Sequence, residues 1–233
     1  MGPLEGVRVL DLSKYGPSRY CSMILGDLGA EVIAVEMPKN AGQILDVVSD
    51  DTGSLYIGHN RSKKSIAINL KEAKGREILY SLVEKTDVVI EANRPGILKR
   101  RGLDYETMSK FNSRLIYCSI TGYGQDGPYA QRSGHEINFA GVAGIMALTG
   151  SRNGPPVYLQ SPSIADLLGG VTNAVIAINA ALFAREKIGR GQYIDISITD
   201  GAVFYHWIDA QQYLLDGKLP ERPESATGSD YAC

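Results

Sequence analysis

Val7-Arg8-Val9-Leu10-Asp11-Leu12, the turn at Gly16-Pro17, an apolar-periodic run from Ser18 to about Leu28, Gly29, and Glu31-Val32-Ile33-Ala34-Val35-Glu36 together decide the fold class. The two apolar runs rich in β-branched residues read as strands, and the segment between them as a helix closed by Gly29 at its C′ position. Two strands joined through a helix pair in parallel with a right-handed crossover.

The same alternation continues along the chain. Ser65-Ile66-Ala67-Ile68-Asn69-Leu70 reads as a strand. Lys71 to about Lys85 reads as a helix with Ile78, Leu79, Leu82 and Val83 on one face. Asp87-Val88-Val89-Ile90-Glu91 and Arg114 to Ile120 read as further strands, and the unbroken apolar run of the first implies burial on both faces. Helices are expected over Glu136–Leu148, Ser163–Lys187 and Asp200–Leu215, with a last strand over Tyr193–Ile198. The polar, Gly/Asp-rich stretch 39–62 reads as a long loop. The pattern is α/β with a mostly parallel, doubly wound sheet.

Composition narrows the function. The chain has 233 residues, 44% apolar and 21% charged, as expected of a globular protein. A net charge of −2 with interspersed signs offers no footprint for nucleic acid or an anionic membrane. No apolar stretch reads as long enough to span a bilayer and no signal peptide is apparent, so the cytoplasm is the expected compartment. Cys21, Cys118 and Cys233 form no CxxC pair, and Asp195, Asp200 and Asp209 are too scattered for a metal site, so no metal is expected.

Two residues stand out chemically. Ser163-x-x-Asp166 matches a capping box, which is the first reading of these residues alone; the alternative is that a carboxylate at a helix start in a dry pocket serves as a nucleophile or general base. His135, between Gly134 and Glu136, begins another helix, where the N-terminal dipole keeps an imidazole neutral and able to accept a proton. As a packed histidine it would do nothing chemical. The loop Gly122-Tyr123-Gly124-Gln125-Asp126-Gly127-Pro128 lacks the Lys-Ser/Thr ending of a P-loop and reads as a shaped loop near a substrate. Arg61, Lys63, Lys64 and Lys71 are either a solvated face or contacts to the phosphates of an anionic ligand, and Arg94, Lys99, Arg100 and Arg101 are open to the same two readings.

A resemblance follows from these residues. Leu4-Glu-Gly-Val-Arg-Val-Leu-Asp-Leu-Ser13, Leu28-Gly-Ala-Glu-Val-Ile33, Lys64-Ser-Ile-Ala-Ile-Asn-Leu-Lys71, Arg94-Pro-Gly96, Thr121-Gly-Tyr-Gly124, Ala165-Asp166 and Gly189-Arg-Gly-Gln192 resemble the family III CoA-transferases (CaiB/BaiF) over essentially the whole chain. The family includes α-methylacyl-CoA racemases. Gly134-His135-Glu136-Ile137-Asn138-Phe139 resembles the Gly-His-Asp-Ile-Asn-Tyr motif of that branch, with Glu136 and Phe139 as conservative departures. The resemblance implies a Rossmann-like large domain over 1–215, with 216–233 leading toward a small domain, in an interlocked homodimer. A chain of this extent is expected to be poorly active alone.

By the same resemblance, a racemase would move the α-proton of a 2-methylacyl-CoA between His135 and Asp166. A transferase would use Asp166 to form an acyl anhydride and then an aspartyl-CoA thioester, and a third possibility is an inactive CoA-binding fragment. The racemase is the expected activity, resting on His135. An acyl-CoA thioester would be the substrate, with CoA as part of it and no other cofactor. CoA would lie against Ile68, Asn69, Leu70, Lys71, Asn93, Arg94, Arg100 and the run Gly134, Glu136, Ile137, Asn138, Phe139. Met37 stands where many members place a basic residue for the CoA phosphates, with Lys39 as the nearest substitute.

Overall fold

A computed structural model describes residues 2–13, 16–38, 58–158 and 163–222. Among them, six strands form one wholly parallel sheet: β1 (Arg8–Asp11), β2 (Glu31–Glu36), β3 (Lys63–Ala67), β4 (Val88–Glu91), β5 (Ile116–Thr121) and β6 (Tyr193–Ser197). The order is β3-β2-β1-β4-β5-β6, so the winding reverses between β1 and β4, as the doubly wound reading requires. The helices are α1 (Pro17–Asp27), α2 (Ala73–Val83), α3 (Tyr105–Met108), α4 (Glu136–Val142), α5 (Ile145–Leu148), α6 (Asn173–Ile188), α7 (Ile198–Tyr205) and α8 (Trp207–Asp216).

The alternation of side chains along each strand divides the core in two. Val9, Val32, Val88, Ile90, Ile116 and Cys118 pack with Cys21 and Leu25 of α1 and with Ala174 and Ile178 of α6. Their neighbours Leu10, Val35, Val89 and Tyr117 face the other way, onto Leu79, Val83, Leu103 and Met108. α1 begins at Pro17, whose fixed φ suits a first helical turn, and Gly29 beyond its end has φ 104°.

Several boundaries differ from the sequence expectation. β3 starts at Lys63, two residues early, because Lys63 through Ala67 pair with Val32 through Glu36 of β2. Ile68 and Leu70 then leave the strand and bury in the second core. The helix expected over Glu136–Leu148 is two, broken where Gly144 takes φ 90°. The helix expected over Asp200–Leu215 is likewise two, meeting at His206, whose Nε2 lies 2.6 Å from the Ala143 carbonyl oxygen. The long helix opens with a π-helical segment, Ala165–Thr172, before becoming α6. A Cβ on Gly169 there would lie 2.3 Å from the Ile198 carbonyl oxygen, so this segment and α7 meet backbone to backbone.

The expectation that no stretch could span a bilayer is corrected. Within the 24-residue helical run Ala165–Ile188, an 18-residue window has mean hydropathy 1.8, so the run is long and apolar enough by length and composition. Its residues Ala165, Val171, Ala174 and Ile178 are buried in the first core. Residues 39–57, including Lys39 and most of the expected long loop, lie outside the described residues, as do residues 223–233 of the expected linker.

Candidate active site

The site forms where α4 meets the π-helical segment. α4 starts at Glu136 with His135 as its N-cap, and the His135 N–H donates to Asn138 Oδ1 at 3.0 Å. His135 and Asn138 are exposed. Phe139 is buried in the first core, beneath the glycine loop. A Cβ on Gly122 would lie 2.2 Å from its ring and one on Gly134 2.6 Å, while Tyr123 meets it edge-on with centroids 5.2 Å apart. Gly122 and Gly134 therefore serve close packing against α4, while Gly124 takes φ 79° beside Ser197 and Asp195. They set the direction in which His135 and Glu136 leave the loop.

Glu136 is buried, and its carboxylate reaches the start of the long helix. Oε1 accepts the Ala165 N–H at 2.9 Å and Oε2 the Asp166 N–H at 2.7 Å. The first amides of a helix lack intrahelical acceptors, and a carboxylate there also meets the positive end of the dipole. The cap on this helix is thus Glu136, thirty residues away in sequence. The expected Ser163–Asp166 capping box is absent, as the N-cap residue is Ile164 and makes no side-chain cap bond.

Asp166 is thereby fixed at the backbone and released at the side chain. Its Oδ1 is buried and has no hydrogen-bond partner among the described residues. Burial, and then the Glu136 charge, push its carboxyl up to about 6, against the opposing pull of His135. A carboxylate in this state is short of stabilisation and close to protonation near neutral pH. Both properties favour bond formation at its oxygen or proton exchange.

The other expected residues fall into two groups along the carboxyl edge of the sheet. Ile68 and Leu70 follow β3 with buried side chains; Asn69 turns its Oδ1 to the Lys71 N–H at 3.2 Å, and Lys71 is exposed. Asn93 follows β4, with Arg94 and Arg100 exposed beyond it. Arg94 lines a cavity of about 240 Å³ whose other walls include Glu91, Ser119, Gln125 and Tyr193. A larger cavity, about 520 Å³, is lined by Tyr123, Asp126, Asn173, Asp195, Thr199 and Asp200, and not by Asp166. Ile137 is 48% exposed on α4.

Sequence reasoning missed a further set. Lys63 was read as surface or phosphate-binding, yet its Nζ pairs with Asp11 Oδ2 at 3.1 Å with both side chains almost fully buried, at 1% and 0% exposure. Glu91 is also buried. The one hint in the sequence is that both carboxylates sit in otherwise apolar strand runs.

The chain belongs to the CoA-transferase family III, whose profile it matches over residues 4–232. It is 41% identical to the human succinyl-CoA:glutarate CoA-transferase, over 97% of this chain and 52% of that protein. It is 38% identical to the acetyl-CoA:oxalate CoA-transferase of Acetobacter aceti, over 95% of this chain and 57% of the relative. Among solved structures, a CaiB/BaiF family protein from Brucella suis superposes with TM-score 0.85 at 38% identity, over 95% of this chain and 60% of that one. The chain therefore spans little more than half the length of these relatives.

These similarities overturn the expected racemase activity. The relatives are named as CoA-transferases acting with glutarate and oxalate, and others are named for mesaconate and L-malate. What falls is the racemase reading of Gly134-His135-Glu136. The exposed His135 caps α4, and the buried Glu136 holds Asp166.

Proposed function

We propose that the protein is a CoA-transferase that moves CoA between a short acyl-CoA and a dicarboxylic acid, with Asp166 as the nucleophile. The observation that carries this is the buried, unpartnered Oδ1 of Asp166 on a helix start whose amides Glu136 already occupies. The relatives' names support the substrate class, since glutarate, oxalate, mesaconate and L-malate are all dicarboxylates.

The reaction proceeds in balanced steps. The Asp166 carboxylate attacks the thioester carbonyl, and the C–S bond breaks to give an aspartyl–acyl anhydride and CoA thiolate. The thiolate attacks the aspartyl carbonyl of the anhydride, forming an Asp166–CoA thioester and releasing the first acid as its carboxylate. The incoming dicarboxylate attacks this thioester to give a second anhydride and free thiolate. Attack of the thiolate on the acyl carbonyl yields the new acyl-CoA and restores Asp166. The net exchange trades one acyl-CoA thioester for another through higher-energy anhydrides that are consumed at once, so CoA carried by the substrate is the only carrier required. The amides at the helix start are occupied by Glu136, so Asp166 itself stays free to react.

The test is direct. The protein is incubated with succinyl-CoA, quenched, digested and analysed by mass spectrometry. A CoA or succinyl adduct on the Asp166 peptide, sensitive to hydroxylamine and absent from Asp166→Ala, is expected. An unmodified Asp166 in a protein that turns over, or an adduct elsewhere, sinks the proposal. Binding of CoA with neither turnover nor adduct identifies a CoA-binding protein only.

A further inference from the structure

β1 and β4 lie side by side where the strand order reverses, and each ends in a buried carboxylate turned onto the residue two places ahead. Asp11 Oδ1 accepts the Ser13 N–H at 3.0 Å and also the Ser13 hydroxyl. Glu91 Oε2 accepts the Asn93 N–H at 2.7 Å and the Asn93 side-chain amide at 3.1 Å. The same device thus appears on two adjacent strands.

A second row stands behind each. Asp11 Oδ2 takes the Ser22 hydroxyl at 2.5 Å and Lys63 Nζ at 3.1 Å. Lys63 also donates to the Arg19 carbonyl at 2.9 Å, tying β3 and α1 to the end of β1. Glu91 is hydrogen-bonded by Ser119, whose hydroxyl in turn takes the Tyr193 phenol at 3.2 Å. That relay runs from β6 across β5 to the end of β4. Both turns leave the sheet in directions fixed by buried polar groups, one toward α1 and the other toward Arg94 and Arg100.

In open α/β sheets the ligand crevice lies outside the carboxyl ends of the strands, at the reversal of strand order. We propose that Asp11 and Glu91 are matched positioning residues that hold the two lips of this crevice in the shape that grips CoA, and take no part in the chemistry at Asp166. The proposal rests on the reading of the protein as a CoA-transferase. Each carboxylate is buried and already bonded to its own turn, although Glu91 also borders the cavity beside Arg94. Their effect on CoA passes through Ser13 and Asn93.

The test measures CoA binding by calorimetry and, separately, the rate of Asp166 adduct formation at saturating succinyl-CoA. Glu91→Leu is expected to weaken CoA binding about tenfold, the scale of one lost charge-assisted hydrogen bond, with the saturated adduct rate within about twofold. Glu91→Gln keeps a side-chain oxygen that can accept the Asn93 N–H and side-chain amide, so it should restore most of the affinity. Glu91→Asp keeps the charge but withdraws it by one methylene, and it carries the same test should E91L not fold. Ser13→Ala on the other lip should weaken binding in the same direction by about two- to fivefold.

Variants that bind CoA as the unsubstituted protein does, or that slow the saturated step at unchanged affinity, overturn the inference. An unsubstituted protein that binds CoA and shows no adduct removes Asp166 as nucleophile and leaves the positioning role standing. An unsubstituted protein that does not bind CoA overturns both.

Discussion

The ends of β1 and β4 and the start of the long helix each bury carboxylates, and they treat them in opposite ways. Asp11 is met by Ser13, Ser22 and Lys63, and Glu91 by Asn93 and Ser119. At the helix start Glu136 is equally well met, by two amides. Asp166 beside it has an oxygen that is buried and unmet among the described residues. Unpaired buried polar atoms are costly and correspondingly rare in folded proteins. Of these four acids, Asp166 alone keeps a buried oxygen without a hydrogen-bond partner among the described residues, which is what a nucleophile requires.

The sharpest way to break this contrast is at Lys63. Lys63→Met leaves Asp11 buried without its cation and should cost about 3–5 kcal/mol of unfolding free energy, read from chemical denaturation. Lys63→Met combined with Asp11→Leu should recover part of that loss; a double variant no more stable than K63M means the pair is not coupled.

Next is the cap. Glu136→Gln keeps the shape, but its amide nitrogen cannot accept the second N–H. Stability should fall by about 1–3 kcal/mol, and CoA transfer should fall with it as Asp166 loses its fixed backbone. Full activity in E136Q would separate the cap from the nucleophile.

Asp166 itself should behave in the opposite sense. Its folded carboxyl is raised from the ordinary 3.8 to about 6, so the folded state binds more protons than the unfolded state between those values. Stability therefore falls as pH rises through that window, and the ionised Asp166 weakens the fold at neutral pH. Asp166→Asn should raise stability at pH 7 by about 1–3 kcal/mol, with the gain gone by about pH 4. A D166N protein that is less stable at pH 7 would mean that the carboxylate is satisfied after all.

The smallest expected effect belongs to His135, whose charge opposes the rise at Asp166. The acid limb of the transfer rate should lie near pH 6, since a protonated Asp166 cannot attack. His135→Ala should move that limb upward by a few tenths of a pH unit. An unmoved limb would mean that another group governs it.

The sequence made the sheet readable and left the site half-visible, for a common reason. Runs such as Val88-Val89-Ile90 carry their own period and burial, so strands and crossovers follow from local pattern. Asp166 stood out because it opens an apolar helix. Its cap could not be read, because the amides at 165 and 166 and the carboxylate at 136 meet only in three dimensions. Ser163 offered a nearer and plausible capping partner. Lys63 looked like surface because lysine usually is, and nothing local announces a buried partner in β1. His135 misled for the opposite reason: a motif was legible, but its burial was not. Gly144 and His206 broke helices whose apolar periods run straight through them.

The π-helical opening at Ala165–Thr172 makes the angular setting of Asp166 a matter of chain length as well as composition. A π turn holds about one residue more than an α turn, so the segment takes up an extra residue without turning its two flanks out of phase. Removing one residue between 167 and 172 would let it relax to α geometry with Asp166 still facing Glu136 and α6 still held by Ala174 and Ile178. A second removal meets no such slack, and would turn Asp166 about a quarter turn around the helix axis, away from Glu136.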